Sequence, residues 1–493
     1  MRTIVIFVCF FLIVSFPVCA ERHPDYEPLF TFEHLFQDSQ VPESCSADEV
    51  FIMGLMFSEC IKDSERWNDC IRKFEIIKKD VNSKEMQKLT DEERGRAILK
   101  YLYGGTLKKY SLNQTKLDEA LETGLYNCVS SAVLYLAAAK AAGLNVRGQH
   151  TTQHAFCSIY INAGNQKQLK KIDVETTNPY GFNPGSREEI ENENKIKQYY
   201  VVPKKYYTSR QEVSDGVFTG LIAGNLCSEY IKKGNYYKAV PLGTARYEAV
   251  RNEKSKIIKE VRNSFDILPC NYINIYSESA EEYSSRLEWF TGFIERWGID
   301  DFLQKNMDNC FNNFFVLCKK EKNYSLAEKY YSQLGPYVSK KQLEKSSEAL
   351  SDIFIMLKTD GQSSEEQLIT VAEIKEAEKS NPAMQKIADL YLENAWINIL
   401  NDHMKRDDYL EGYFKSLKAE AQLPLSRRIK KMKNIFYSNY IAVVHNNFAS
   451  EANRNNFEAA EDVLKKGLEI FPDDKNLLRD LSNLKKNENR SAF

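Results

Sequence analysis

The stretch that decides the fold is GLYNCVSSAVLYLAAAKAAGLNV, residues 124–146. Asn127 is a good N-cap residue, so the sequence predicts a helix that begins at Cys128. Gly143 followed by Leu144 is typical of a left-handed C-terminal cap with its hydrophobic partner. Between these ends, apolar residues occupy nearly every face, which indicates a central and buried helix. A thiol therefore opens a strongly apolar helix.

Short strands are predicted after this helix. Residues 155–161, AFCSIYI, suggest one strand, and Lys171–Val174 suggest a second. Ahead of the helix, Thr90 is followed by three acidic residues, as at a capped helix start. We therefore predict an α+β domain over residues 90–205, preceded by a helical segment over 21–89.

From about Ser214 the sequence predicts helices with a loose internal repeat. The repeated pattern is Asn, an aromatic residue, two further residues and Ala, and it occurs at Asn235–Ala239, Asn323–Ala327 and Asn456–Ala460, with a weaker copy at Asp408–Gly412. In a helical hairpin, the small residue lets the two helices approach closely. The copies resemble tetratricopeptide repeats, most clearly over residues 440–486. We predict an all-α, irregular helical-repeat region over 214–486 and a disordered tail over 487–493.

The overall composition limits the classes of function. A chain of 493 residues suggests about three structural units. Its 67 basic and 69 acidic residues leave no net field that would attract nucleic acid, so no nucleic-acid partner is predicted. The sequence leaves the oligomeric state open.

The N-terminus predicts an exported protein. The apolar run TIVIFVCFFLIVSF, residues 3–16, precedes small or modest side chains at Val18 and Ala20, as in a signal peptide over 1–20. The run is shorter than the roughly 20 residues of a membrane span, so an uncleaved anchor is the weaker alternative. Lipid attachment at Cys19, with peripheral membrane association, is another. We expect the bacterial periplasm or cell envelope.

Removing the signal segment leaves nine of the 11 cysteines. Cys45, Cys60 and Cys70 are close enough in sequence for a local disulfide in an oxidising compartment, and buried free thiols are the equal alternative. No C-x-x-C pair occurs, which disfavours a structural zinc site.

Cys128, His154 and Asp173 stand at positions that could meet at one edge of the predicted domain. A helix N-terminus and a neighbouring imidazolium both stabilise a thiolate, the reactive form of a cysteine. His154 would take the thiol proton, Asp173 would orient the imidazole, and the Cys128 amide would face an oxyanion. His150 competes with His154 as the base. The two histidines would share a metal only on a helix, which the two intervening threonines disfavour, so neither metal nor cofactor is predicted.

These residues resemble the transglutaminase-like superfamily of papain-like cysteine enzymes. The resemblance covers residues 90–185 and rests on Asn127-Cys128 before the helix, His154-Ala155-Phe156 opening a strand, and Ile172-Asp173. It implies Cys128 as nucleophile, His154 as base and Asp173 as orienting acid. In this chain, Phe156 stands where the family usually has Trp, and residues 173–177 replace a tighter Asp-Pro-Thr.

The sequence therefore predicts thiol-dependent acyl transfer on an amide, most simply by a cysteine peptidase or amide hydrolase. The intermediate would be a thioester on Cys128, and the helical repeats would hold a protein or peptide substrate. The alternative is a non-catalytic scaffold in which the repeats bind other proteins. In that case Cys128 is a packing residue, as cysteines in apolar helices generally are.

Overall fold

A computed structural model describes residues 23–162, 169–183 and 210–491, with side chains as far as residue 486. The described chain is mostly helical with a small sheet, as the sequence predicts at this coarse level. The predicted signal peptide, with Cys19, lies outside the described residues. None of the helices in the described ranges is long and apolar enough to cross a membrane.

Five helices and a pair of short strands precede the central helix. In chain order they are α1 Ala47–Phe57, α2 Glu65–Val81, α3 Lys84–Gln87, α4 Asp91–Gly105, β1 Lys109–Tyr110, α5 Leu117–Thr123 and β2 Leu125–Tyr126. The predicted cap of α4 is present, because the side chains and amides of Thr90 and Glu93 bond reciprocally. Strands β1 and β2 pair in parallel.

The central helix and the sheet follow directly. The helix is α6, Cys128–Ala141, and the strands are β3 Val146–Thr151, β4 His154–Asn162, β5 Leu169–Val174 and β6 Gln211–Val213. The strand order is β5-β4-β3-β6, and every neighbouring pair is antiparallel. Gly143 ends the α6 region with φ 76°, the left-handed conformation that the sequence predicts there.

Helix α6 is buried against the sheet because its side chains are apolar all round. Residues 129–139 are all buried, and the Cys157 thiol on β4 approaches the carbonyl of Ala132 at 3.3 Å. At the other end of α6, Lys140 forms a 2.7 Å ion pair with the almost fully buried Asp215. The helix is thus fixed at both ends, and its first turn lies beside the end of β4.

Helices occupy the rest of the described chain. They are α7 Asp215–Thr219, α8 Leu221–Lys232, α9 Tyr236–Val250, α10 Ile257–Ile273, α11 Ala280–Trp297, α12 Asp301–Glu321, α13 Tyr324–Leu334, α14 Lys340–Lys358, α15 Ser364–Ala377, α16 Pro382–Lys405, α17 Tyr409–Gln422, α18 Arg427–Asn453, α19 Phe457–Ile470 and α20 Lys475–Ser491. The backbone of residues 487–491, predicted as part of a disordered tail, is helical. Glu488 and Arg490 in this stretch are good helix formers.

The repeated sequence pattern marks helix starts. Its Asn or Asp stands immediately before α9, α13, α17 and α19. The small residue of each copy is buried: Ala239, Ala327 and Ala460 have no exposed surface, and Gly412 lies so close to Phe436 that an added Cβ would be 2.2 Å from its ring. The pattern therefore serves close helix packing.

The chain divides into two compact units. The first comprises the described residues as far as Tyr276 together with Ser285–Asn306, and the second comprises Ser277–Ser284 and the described residues from Met307 onward. The predicted boundaries at 89/90 and 205/214 fall inside the first unit. Around Gly54 of α1, an added Cβ would meet Leu117, Val133 and Ile222 within 3.9 Å, so helices from all three predicted segments share one core.

Candidate active site

Cys128 is the first residue of α6, and the helix cap leaves its amide available. The Asn127 side chain accepts hydrogen bonds from the amides of Val129 at 2.9 Å and Ser130 at 3.1 Å. The Ser130 hydroxyl in turn accepts from the Asn127 amide at 3.0 Å. The cap thus accepts hydrogen bonds from the second and third amides of the helix but not from the first, that of Cys128. Cys128 presents both its thiol and its N–H at the positive end of the helix.

His154 is placed by a tight hairpin. It pairs with Thr151 across the end of β3 and β4, and the Thr151 hydroxyl donates to its carbonyl at 3.2 Å. The imidazole lies over the fully buried ring of Phe156, with centroids 6.1 Å apart and planes 20° from parallel. This stacking restricts the ring's orientation.

The carboxylate that orients the imidazole belongs to Glu175. Its Oε2 lies 2.7 Å from His154 Nε2, and the Glu175 side chain is only 4% exposed. The other oxygen, Oε1, accepts from the Thr177 amide at 3.1 Å and from the Thr177 hydroxyl at 2.7 Å. Both carboxylate oxygens are therefore fixed by donors.

The segment that carries Glu175 is held against the central helix. The Thr176 hydroxyl lies 3.0 Å from that of Ser131 on α6, and Tyr103 donates to the Thr176 carbonyl at 2.8 Å. Gly181 packs closely on the same backbone, since a Cβ added there would lie 2.0 Å from the Glu175 carbonyl oxygen. Any larger residue at 181 would displace the carboxylate.

The prediction that Asp173 orients the histidine is wrong in this structure. Asp173 is opposite Ser158 in the β4–β5 register and accepts from its hydroxyl at 2.7 Å, while its other oxygen pairs with Arg210. Ser158 is four residues along β4 from His154, about 13 Å at 3.3 Å per residue. Glu175 directly follows the end of β5, and its carboxylate lies 2.7 Å from the imidazole.

A sequence signal for Glu175 exists. In Glu175-Thr176-Thr177 an acid stands two residues before a threonine. Asp-Pro-Thr, with which residues 173–177 were compared, has the same spacing. The threonine at that position donates twice to the carboxylate, which explains why the spacing matters.

Hydrogen bonding determines the charge state of the histidine. Burial disfavours the imidazolium, but hydrogen bonds to Cys128 and Glu175 outweigh burial and raise the pKa of His154 to about 10. Glu175 occupies Nε2 of the imidazole, which leaves Nδ1 as the ring nitrogen that can serve Cys128. The imidazole is therefore in its charged form near neutral pH, bound to Glu175.

Cys128 and His154 lie at a cleft in the surface. A cavity of about 640 Å³ is lined by Cys128 and His154, by Asn113 on one side and by Asn225 and Ser228 of α8 on the other. The other eight described cysteines are buried, whereas Cys128 is partly exposed. The site thus has a partly exposed thiol, a charged imidazole and room for a ligand.

His150 lies in the cleft wall but has a different environment. Burial lowers the pKa of His150, with Glu260 and Arg246 as the charged groups that act on it. No group of three or more potential metal ligands occurs in the ranges that the structure describes. All nine cysteines from Cys45 to Cys318 are free thiols, so no local disulfide joins Cys45, Cys60 or Cys70 in this structure.

Comparison with known proteins adds no relative. No protein-family model, no curated protein and no solved structure matches this chain.

Proposed function

We propose that this protein catalyses thiol-dependent acyl transfer on an amide, with Cys128 as nucleophile, His154 as base and Glu175 as the orienting acid. The observation that carries the proposal is that the partly exposed Cys128 thiol and the His154 imidazole line one open cleft, with the buried Glu175 carboxylate 2.7 Å behind the imidazole. Glu175 here takes the role that the sequence analysis gave to Asp173.

The first half-reaction forms a thioester. The Cys128 thiolate attacks the carbonyl carbon of the amide, and the developing oxyanion faces the free amide at the start of α6. The His154 imidazolium then gives its proton to the leaving amine as the C–N bond breaks. Glu175 stabilises the imidazolium and fixes the ring so that Nδ1 faces the sulfur.

The second half-reaction releases the acyl group. His154, now neutral, takes a proton from water, and the resulting hydroxide attacks the thioester carbonyl. The C–S bond breaks, and the carboxylic acid and the Cys128 thiolate are regenerated. We favour water over an amine as the acceptor, since hydrolysis needs no second substrate site.

The same proposal includes the family of the fold, the role of the helical repeats and the cellular location. The domain with α6 and the four-stranded sheet would be transglutaminase-like, and the helices over residues 214–486 would be tetratricopeptide-like repeats that bind a protein or peptide partner. The apolar N-terminal run supports export to the bacterial envelope by a signal peptide.

A generic acyl donor tests the chemistry without knowledge of the natural substrate. With p-nitrophenyl acetate, we expect release of p-nitrophenolate and a transient acetyl group on Cys128, detected by mass spectrometry of the quenched protein. Cys128→Ala should abolish both signals. His154→Gln should slow acylation by about 100-fold or more, because general base catalysis contributes that much.

The control must separate a catalytic thiol from a merely exposed one. An exposed cysteine without an active base would acetylate slowly, and His154→Gln would not change its rate. That outcome would overturn the enzyme proposal and favour the non-catalytic scaffold. His445→Gln is the matched control, because it removes an imidazole from another histidine–carboxylate pair that lies outside the cleft, and it should leave the rate within about twofold.

A further inference from the structure

Arg246 on α9 is a charged side chain without a partner. In the part of the chain that the structure describes, its guanidinium makes no hydrogen bond and no ion pair, and its Nε is shielded from solvent. Burial lowers the pKa of Arg246, because removal from water disfavours the charged form. An arginine stays charged in proteins, so an anion bound at this guanidinium would stabilise it.

The position of the guanidinium depends on a glycine. A Cβ added at Gly224 of α8 would lie 2.8 Å from Nη1 of Arg246. The guanidinium therefore lies directly against the α8 backbone, and a larger residue at 224 would push it away. The pair places the charge in the wall of a second cavity of about 540 Å³.

This second cavity is continuous with the cleft at Cys128. The two cavities share five lining residues, namely His150, Thr152, Leu221, Asn225 and Ser228. A peptide bound across Cys128 would therefore reach the guanidinium by passing His150 and α8.

The charges along this path favour an anion. Glu229 in the cleft is neutralised by Lys233 at 2.5 Å, and Lys232 beside it is exposed. In the second cavity, Glu260 is exposed and accepts from Gln211 at 3.2 Å. Neither carboxylate pairs with Arg246.

We infer that Arg246 forms a carboxylate-binding subsite of the cleft, so that the preferred substrate is a peptide with a carboxylate near the amide that Cys128 attacks. This inference rests on the proposed function for the identity of the attacked bond. The carboxylate is an acidic side chain or a free C-terminus, since a guanidinium binds both in the same fork geometry.

Binding to Cys128→Ala protein tests the subsite separately from catalysis. The probes are acetyl-Ala-Glu-Ala-amide and its Gln analogue for the side chain, and acetyl-Ala-Ala-Ala as free acid and as amide for the C-terminus. Dissociation constants are measured by NMR titration. We expect one acid to bind about tenfold tighter than its neutral analogue, as a charge-assisted hydrogen bond predicts.

Two substitutions at Arg246 locate the preference. In Arg246→Met, the dissociation constants of the acidic and neutral probes should agree within about twofold. Arg246→Lys should keep part of the preference for the acid because the charge remains. Lys238→Met, on the same helix but outside both cavities, should keep the full ratio. Arg246→Met should also raise Tm by about 2–4 °C, since it removes a charge without a partner and keeps the volume.

The outcomes are decisive in both directions. Equal binding of acid and neutral probes, or no binding of any probe, overturns the subsite, and so does a preference that persists in Arg246→Met. A lower Tm with an unchanged ratio would assign the arginine to packing. Because the assay lacks the thiol, a failed acetylation experiment would not alter this result.

Discussion

The carboxylate at Glu175 offers the sharpest test of the candidate site, with Asp173 as its matched control. Glu175→Gln keeps the size of the side chain and removes the negative charge 2.7 Å from His154 Nε2. Asp173→Asn makes the equivalent change two residues away, on a side chain that contacts Ser158 and Arg210 instead.

The expected magnitude follows from the lost interaction. A hydrogen bond to a charged group contributes about 1.5–3 kcal/mol, and the Glu175 side chain is only 4% exposed, so water cannot replace the bond easily. Losing it lowers the pKa of His154 toward its ordinary value, so in the proposed mechanism the imidazolium supports the attacking sulfur less. The rate of thiol alkylation should fall by about 10- to 150-fold.

Alkylation by iodoacetamide at pH 6 measures the reactivity of the Cys128 sulfur. The second-order rate constant at Cys128 is followed by peptide mass spectrometry, since the other eight described cysteines are buried. Asp173→Asn should change the rate by less than about twofold. An equal loss in both variants, or no loss in Glu175→Gln, would refute the assignment of the orienting carboxylate.

Three further predictions concern stability, each measured by urea denaturation. Folding raises the pKa of His154 from 6.5 to about 10. The stabilisation from its charge is therefore complete below pH 6.5 and is lost as the pH rises to 10. The difference in the free energy of unfolding between wild type and His154→Gln should shrink across that window. Asn127→Ala should cost about 1 kcal/mol, because it removes the cap of α6. Lys140→Met should cost about 3–5 kcal/mol, because it leaves the buried Asp215 without its cation.

Each of these has a contrary result. A constant difference between wild type and His154→Gln from pH 6.5 to 10 would show that the fold does not favour the imidazolium. A stable Asn127→Ala variant would mean that packing alone fixes the start of α6. If Lys79→Met, on α2, costs as much as Lys140→Met, the effect is not specific to the buried ion pair.

The sequence determined the local features of this protein. The Asn127 cap, the start of α6 at Cys128 and the left-handed Gly143 depend on residues next to one another, so their identities were sufficient. The helix starts at the repeated Asn–aromatic pattern were readable for the same reason. The proximity of Cys128 and His154 was expected from the order of helix and strand.

Tertiary structure decided which carboxylate meets the histidine and what lies across the cleft. Asp173 is near the end of β5 and Glu175 directly follows it. The β4–β5 register holds Asp173 opposite Ser158, while the turn after β5, with Gly181 packed on the backbone, places Glu175 at His154. Arg246 comes from a helix about 90 residues beyond His154 in the chain. Such choices depend on strand register and helix packing, which combine contributions from distant segments and leave no signature in any short stretch of sequence.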